Sequence, residues 1–314
     1  MAIAAALAAA LLAVGSSAQA QTANRAWVSG KGTDAPGCGA PTAACRSFQY
    51  VHDHIIAAGG EIDVLDGAGY GAITITKALS IVGSGAVAAV QQPNSGQDAI
   101  TINAGPGDAV HLRGLTLEGL GLAFSGVRFH SGASLDVVGC VTRHFTNGLF
   151  LASTNASTVS ITDTLASDNG EGIDIVPSAA VSVALKGVIA DNNDLGGVNV
   201  LAFNPLNVLV SAVDTEVSGS RAGGEGFGFS AFAETSGATV AMSLSDITAS
   251  NNNAGVFTLQ SGGVASVTLG RSLLAGNGDG ADDTNGGTIF SFGDNRFTDN
   301  GTDANGGLTA IAAK

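Results

Sequence analysis

From about residue 99 the chain keeps returning to one arrangement of apolar and polar positions. A glycine opens a short alternating strand, a turn leads to a second one, a third short strand follows, and an Asn/Asp/Gly corner closes the unit. The first strands read Gly126-Val127-Arg128-Phe129, Gly148-Leu149-Phe150-Leu151, Gly172-Ile173-Asp174-Ile175, Gly197-Val198-Asn199-Val200 and Gly226-Phe227-Gly228-Phe229, and Gly255-Val256-Phe257 continues the set less cleanly. Successive glycines are 22, 24, 25, 29 and 29 residues apart. The second strands run from Val110-His111-Leu112 through Leu135-Asp136-Val137, Val159-Ser160-Ile161, Val181-Ser182-Val183, Val208-Leu209-Val210 and Val240-Ala241-Met242 to Val267-Thr268-Leu269. Corners carry Asn147-Gly148, Asp168-Asn169-Gly170, Asp191-Asn192-Asn193, Asn251-Asn252-Asn253 and Asn277-Gly278.

Three strands in a repeat of about 25 residues leave no room for helices. Strands this short must pair with their copies in the next coil, roughly 4.8 Å away. Every second side chain then points inward and stacks on its equivalents, and each coil needs its neighbours to bury its apolar face. The expectation is an all-β protein, a right-handed parallel β-helix solenoid. Asn suits the corners because it tolerates the left-handed backbone region and can stack along the axis. A β-sandwich would show two-residue hairpin loops instead, and a leucine-rich repeat would show a fixed Leu/Asn consensus.

An open solenoid end exposes core and strand edges, so a cap is expected. Residues 46–58 supply a short N-terminal capping helix: Ser47 is the candidate N-cap, Phe48, Val51 and Ile55 share one face, and Gly59-Gly60 is the expected stop. Strands are expected at 61–66, 72–76 and 79–82. The resulting division is a signal peptide over 1–20, an N-terminal loop and capping helix over 21–60, and a parallel β-helix over 61–314.

Composition agrees with close-packed strands and tight turns: Gly is 46 of 314 residues and only 12 % are charged. The net charge of −14 repels phosphate backbones and offers no basic patch, so neither nucleic acid nor anionic lipid is an expected partner. Residues 1–14 are almost wholly apolar, and Ala18-Gln19-Ala20 fits a small-x-small cleavage site, although no Lys or Arg precedes the apolar run. The segment reads as a secretory signal cut after Ala20, with no membrane span left after cleavage and a secreted or periplasmic destination. A buried Ala-rich helix is the alternative. Export makes a Cys38–Cys45 disulfide reasonable, closing a short Gly/Pro/Ala loop. Cys140 is left over and reads as a buried thiol.

The leading segment carries a likeness: Trp27-Val28-Ser29, Cys38 and Cys45-Arg46-Ser47-Phe48, then Gly59-Gly60-Glu61-Ile62-Asp63-Val64 and Gly69-Tyr70. With these residues the chain resembles the pectin-lyase-like superfamily of right-handed β-helix repeat proteins, including secreted bacterial members. The resemblance implies carbohydrate chemistry on the outward face of one parallel sheet. Lyases of this kind hold Ca²⁺ with Asp and Glu and use Arg as base. The hydrolases use Asp pairs on adjacent coils with Gly-His-Gly and Arg-x-Lys segments. This chain has neither segment, and its sole Asp-Asp pair is Asp282-Asp283, so no catalytic set carries over.

The alternation still names an outward row. With Val127 and Phe129 inward, Arg128 and His130 face out, and the next coils present Phe150, Asp174 and Asn199. Arg128 and Asp174 would lie two coils apart, roughly 10 Å. Arg128, His130 and Asp174 are the catalytic candidates, with Phe150 and Asn199 as ligand contacts and a sugar ring stacked on Phe150. The alternative is a solvated face with one exposed aromatic. No cofactor is expected beyond a possible Ca²⁺, for which Asp279, Asp282 and Asp283 offer oxygens in the Gly-rich run 276–287. Their spacing fits neither the EF-hand pattern nor a repeated nonapeptide one, and a flexible turn is the simpler reading. His52-Asp53-His54 looks metal-like, but residues two apart on a helix point apart. Two functions remain: a non-catalytic scaffold or glycan-binding protein, whose partner is a polysaccharide or cell-surface component, and a polysaccharide lyase or glycoside hydrolase working near Arg128 and Asp174.

Overall fold

A computed structural model describes residues 23–83, 85, 87–220 and 226–312; the expected signal peptide lies outside them. The described chain is all-β apart from one short helix, and it winds into a parallel β-solenoid of three sheets. The first sheet has twelve strands and the other two have ten each. Each coil contributes one strand to each sheet, as in Leu115–Glu118 (third sheet), Ser125–Ser131 (second) and Ser134–Val138 (first). Neighbouring strands are coil-to-coil copies, and all ladders between named strands are parallel. The core is a continuous stack of Val, Ile, Leu, Phe and Ala along the axis.

Two columns inside the stack explain the repeat's polar and glycine positions. Gly126, Gly148, Gly172, Gly197, Gly228 and Gly255 lie one above another, and a Cβ on any of them would come within 2.8 Å or less of the next glycine's carbonyl oxygen. Backbone on backbone at that distance admits only glycine. This column replaces Gly226 by Gly228 in the repeat, because Val198 pairs with Phe229 and Asn199 with Ser230.

The second column is made of buried asparagines. Asn169 Oδ1 accepts from Phe145 N, and Asn193 Oδ1 accepts from both Asn169 N and Asn169 Nδ2. Farther on, Ser220 N donates to Asn252, Asn252 to Asn277 and Asn277 to Asn300. The amide groups also donate inward to carbonyls such as Thr142 O and Ala166 O. Each of these residues follows a position in the left-handed region, at Asp168, Asn192, Asn251, Gly276 and Asp299. Asp, Asn and Gly bear that conformation best, which is why the corners are written in these letters.

The capping helix is Phe48–His54, with Ser47 as N-cap accepting from Tyr50 N. It is shorter than the expected 46–58. Ile55 closes it, and Ile56–Val64 is a strand of the first sheet, so the expected stop Gly59-Gly60 lies inside a strand. The reason is a partner the sequence reading left in a loop: Ala23–Val28 is a strand that pairs with Ile56–Val64. The register jumps between Ala23↔Ile56 and Arg25↔Glu61, so Ala57 to Gly60 bulge, with Gly59 at φ 78°. The boundary drawn between 60 and 61 therefore cuts one strand. Arg25 ties the pair through both Asp63 oxygens.

Cys38 and Cys45 form the disulfide. Cys140 is buried at the corner after Gly139, and burial pushes its thiol up to about 11. His52 is a buried, satisfied side chain: Nδ1 meets Asp53 and Nε2 accepts from Thr76 N. No described helix is long and apolar enough to cross a membrane.

Candidate functional site

The outward row of the second sheet follows the expected register. Arg128 pairs with Phe150, Phe150 with Asp174 and Asp174 with Asn199; the row continues through Ser230 and Phe257 to Asp282. On its other side Arg128 pairs with Thr101. At about 4.8 Å per coil, Phe150 and Phe257 stand roughly 19 Å apart.

Arg128 does not reach toward Asp174. Its guanidinium lies 5.9 Å from the Phe124 ring and 5.5 Å from the Phe150 ring, with Nη1 3.8 Å from Asp98 Oδ2. Phe124 and Phe150 meet edge to face at 5.5 Å. The cation is thus held on the N-terminal side of the row by two rings and one carboxylate. A bulge between Phe129 and Ser131 takes His130 out of the ladder, and its carbonyl accepts from the Thr154 amide and hydroxyl.

Asp174 anchors a directed chain: Ser230 Oγ donates to Asn199 Oδ1, and Asn199 Nδ2 donates to Asp174 Oδ1 at 3.3 Å. Burial pushes the Asp174 carboxyl up to about 6, against the lowering effect of Asn199. Three residues earlier on the same strand, Glu171 is raised further, to about 8, by burial and then by the Asp174 charge. Its Oε2 has no hydrogen-bond partner among the described residues and lies over Gly196, where an added Cβ would meet it at 2.6 Å. Two neighbouring carboxyls with separated titrations give one proton holder and one carboxylate near neutral pH.

Beyond Ser230 the face becomes aromatic. Phe227 and Phe257 stack at 4.3 Å, and Phe232 joins them at 5.5–5.9 Å. The polar centre of Glu171, Asp174, Asn199 and Ser230 therefore lies between Phe124/Phe150 on one side and Phe227/Phe232/Phe257 on the other.

The run 276–287 is not a flexible turn. Asp279–Asn285 is a strand of the second sheet, and Ala281 packs into the core. Asp279 and Asp282 fall on the same ladder positions as Glu171 and Asp174, four coils away. Asp282 accepts from the Thr284 amide and hydroxyl, and Asp279 from Asn305. Among the described residues, Asp279, Asp282 and Asp283 do not converge into one group of ligand atoms; the group that does, Asp34 with Cys38 and Cys45, contains the disulfide.

Sequence reasoning missed Glu171, Asp98, Phe124 and Ser230. It followed the second residue after each repeat glycine, whereas Glu171 stands just before Gly172 and Asp98 and Phe124 sit just outside a strand. Hollows lie elsewhere too. One of about 580 Å³ opens on the first sheet over Asp136, Ser160, Leu209 and Ser211, and one of about 520 Å³ beside the disulfide loop. Neither collects an acid–base pair. Arg143 and His144 both meet Glu118 at an exposed corner.

The architecture is a three-sheet parallel β-helix. Among solved structures, the chain is similar to the crystal structure of pectate lyase Pel9A, with a TM-score of 0.62 and 15 % identity over 92 % of this chain and 77 % of that one. A looser likeness is to the A-module of the Azotobacter vinelandii mannuronan C-5 epimerase AlgE6, with a TM-score of 0.45 and 14 % identity over 82 % of this chain and 92 % of that one. No protein-family model matches the chain, and no curated protein matches it in sequence.

Proposed function

We propose that the outward face of the second sheet binds a carbohydrate chain laid along the solenoid axis. The observation that carries this is the polar centre Glu171–Asp174–Asn199–Ser230 with an aromatic cluster at each end. Aromatic rings give apolar sugar faces something to stack on, and amides, hydroxyls and carboxyls take up sugar hydroxyls. A coil rise of roughly 4.8 Å is close to the length of one pyranose unit, so successive sugars can meet equivalent positions. Pectate lyase Pel9A shares the fold, and its name agrees with a polysaccharide partner without specifying one. The Cys38–Cys45 disulfide supports work outside a reducing compartment, as the signal-like N-terminus does. Affinity electrophoresis of the folded protein through gels containing polysaccharide tests the reading. Retardation that Phe150→Ala weakens is expected; migration unaffected by any glycan refutes it.

A second reading, hydrolysis, is favoured by the separated titrations of Glu171 and Asp174. Glu171 would give its proton to the glycosidic oxygen as the C–O bond breaks. Asp174 would take a proton from the water that adds to the anomeric carbon. New reducing ends, lost in both Glu171→Gln and Asp174→Asn, would establish it; binding without new ends leaves a glycan-binding face alone. β-Elimination fits less well, since Arg128, the one arginine among the described strands of this sheet, lies between two phenyl rings beside Asp98.

A further inference from the structure

We infer that the second-sheet face is built for a glycan without acidic sugars. The inference rests on the carbohydrate-binding reading and goes past it to the substrate class. Among the described residues, Arg128 is the one Lys or Arg in all ten strands of this sheet. It is wedged between Phe124 and Phe150, and its nearest anion is Asp98. Its side chain is 37 % exposed, so it offers a single described cation to a chain that would bring a carboxylate on every sugar.

The rest of the face is acidic or neutral. Asp174 is met by an amide and the buried Glu171 Oε2 by no partner among the described residues, while Asp279 and Asp282 repeat the two carboxyl positions farther along the axis. A polyuronate threaded here would carry a carboxylate on every sugar past these groups. Like charges brought together in a partly desolvated contact weaken binding, and the chain's net charge of −14 opposes the approach at long range. A neutral glycan meets none of this. Its ring faces can lie on the half-buried Phe150, Phe227 and Phe232 while its hydroxyls pair with Asp174 and Asn199, which the buried Ser230 holds in place. The same fold in pectate lyase Pel9A therefore does not bring that protein's substrate with it.

The test uses the folded full chain in native gels containing neutral polysaccharides (unbranched glucans, xylan, galactan) or polyuronates (polygalacturonate, alginate). Each polyuronate is run with Ca²⁺ and with chelator, because a bridging cation is the one device that would let two carboxylates share a site. The expected result is retardation by at least one neutral glycan, weakened on the order of tenfold by Phe150→Ala, and no retardation by polyuronate in either condition. Retardation by polygalacturonate or alginate, with or without Ca²⁺, overturns the inference and leaves the carbohydrate reading standing. Retardation by neither class overturns both. Asp174→Asn, which keeps shape and removes charge, separates misfolding from lost contact: it is expected to keep the wild-type circular dichroism spectrum while changing the affinity.

Discussion

Replacing Glu171 by Gln should make the protein more stable at alkaline pH and change little at acid pH. The folded chain holds the Glu171 proton up to about pH 8, whereas the ordinary glutamate value is 4.5. Between those values the native state binds a proton that the unfolded state has released, so stability falls as pH rises through the window and is level on either side. A displacement of that size corresponds to about 5 kcal/mol across the whole window, an upper figure because Asp174 shares the site. Glutamine has nearly the shape of the protonated acid and cannot ionise, so it escapes the cost. The measurement is urea unfolding by circular dichroism at half-unit steps from pH 4 to 9, for wild type, Glu171→Gln and the exposed control Asp214→Asn. Solenoids can unfold coil by coil, so the midpoint difference between proteins is the quantity to follow. It should grow steadily from about pH 5 to 8 for Glu171→Gln and stay flat for the control. Parallel pH profiles for wild type and Glu171→Gln would refute the buried, proton-holding carboxyl and the acid–base reading built on it.

Other outcomes test the scaffold. Gly172→Ala would place a Cβ 2.6 Å from the Gly197 carbonyl and 2.8 Å from Asn193 Nδ2, so a loss of about 1–3 kcal/mol or more is expected in urea unfolding. Gly107→Ala, with nothing within 4 Å, should change stability little. Asn252→Ala leaves the buried Ser220 amide without its acceptor and should cost about 1–3 kcal/mol by the same assay. Reducing the Cys38–Cys45 link should cost about 2.5 kcal/mol from the reopened short loop. In the native state Cys140, buried and raised to about 11, should resist iodoacetamide at pH 8 and react only after unfolding, as mass spectrometry would show.

The fold was legible because a solenoid writes its packing rule once per coil. Alternation placed Val127, Leu149, Ile173 and Val198 inward and Arg128, Phe150, Asp174 and Asn199 outward, and the ladders agree. Register was harder to read. Val159 pairs with Val183, not Val181, and Met242 with Val267, so equivalent positions in the second-strand sets are displaced by two residues in places. A shift of two keeps every side chain on its own face, so alternation cannot detect it. The glycine column detects such a shift in the first-strand sets, because only Gly228 meets the close approach that Gly197 and Gly255 share.

The candidate site was less legible for a related reason. Its chemistry is assembled across coils, at sequence separations of 25 to 31 for the Asp174–Asn199–Ser230 chain, and a reading along the strand sees one member at a time. Spacing could name Asp174 but could not show that Asn199 orients toward it, or that Arg128 turns back to Asp98. The Glu171 environment depends on Gly196 in the next coil having no side chain. That supplies a last discriminating change. Gly196→Ala would push the Glu171 carboxylate toward solvent without touching Asp174, Asn199 or Ser230. If Glu171 holds its proton because of that pocket, the alkaline instability traced by Glu171→Gln should shrink in Gly196→Ala, and an unchanged pH profile would mean that burial by Gly196 is not the cause.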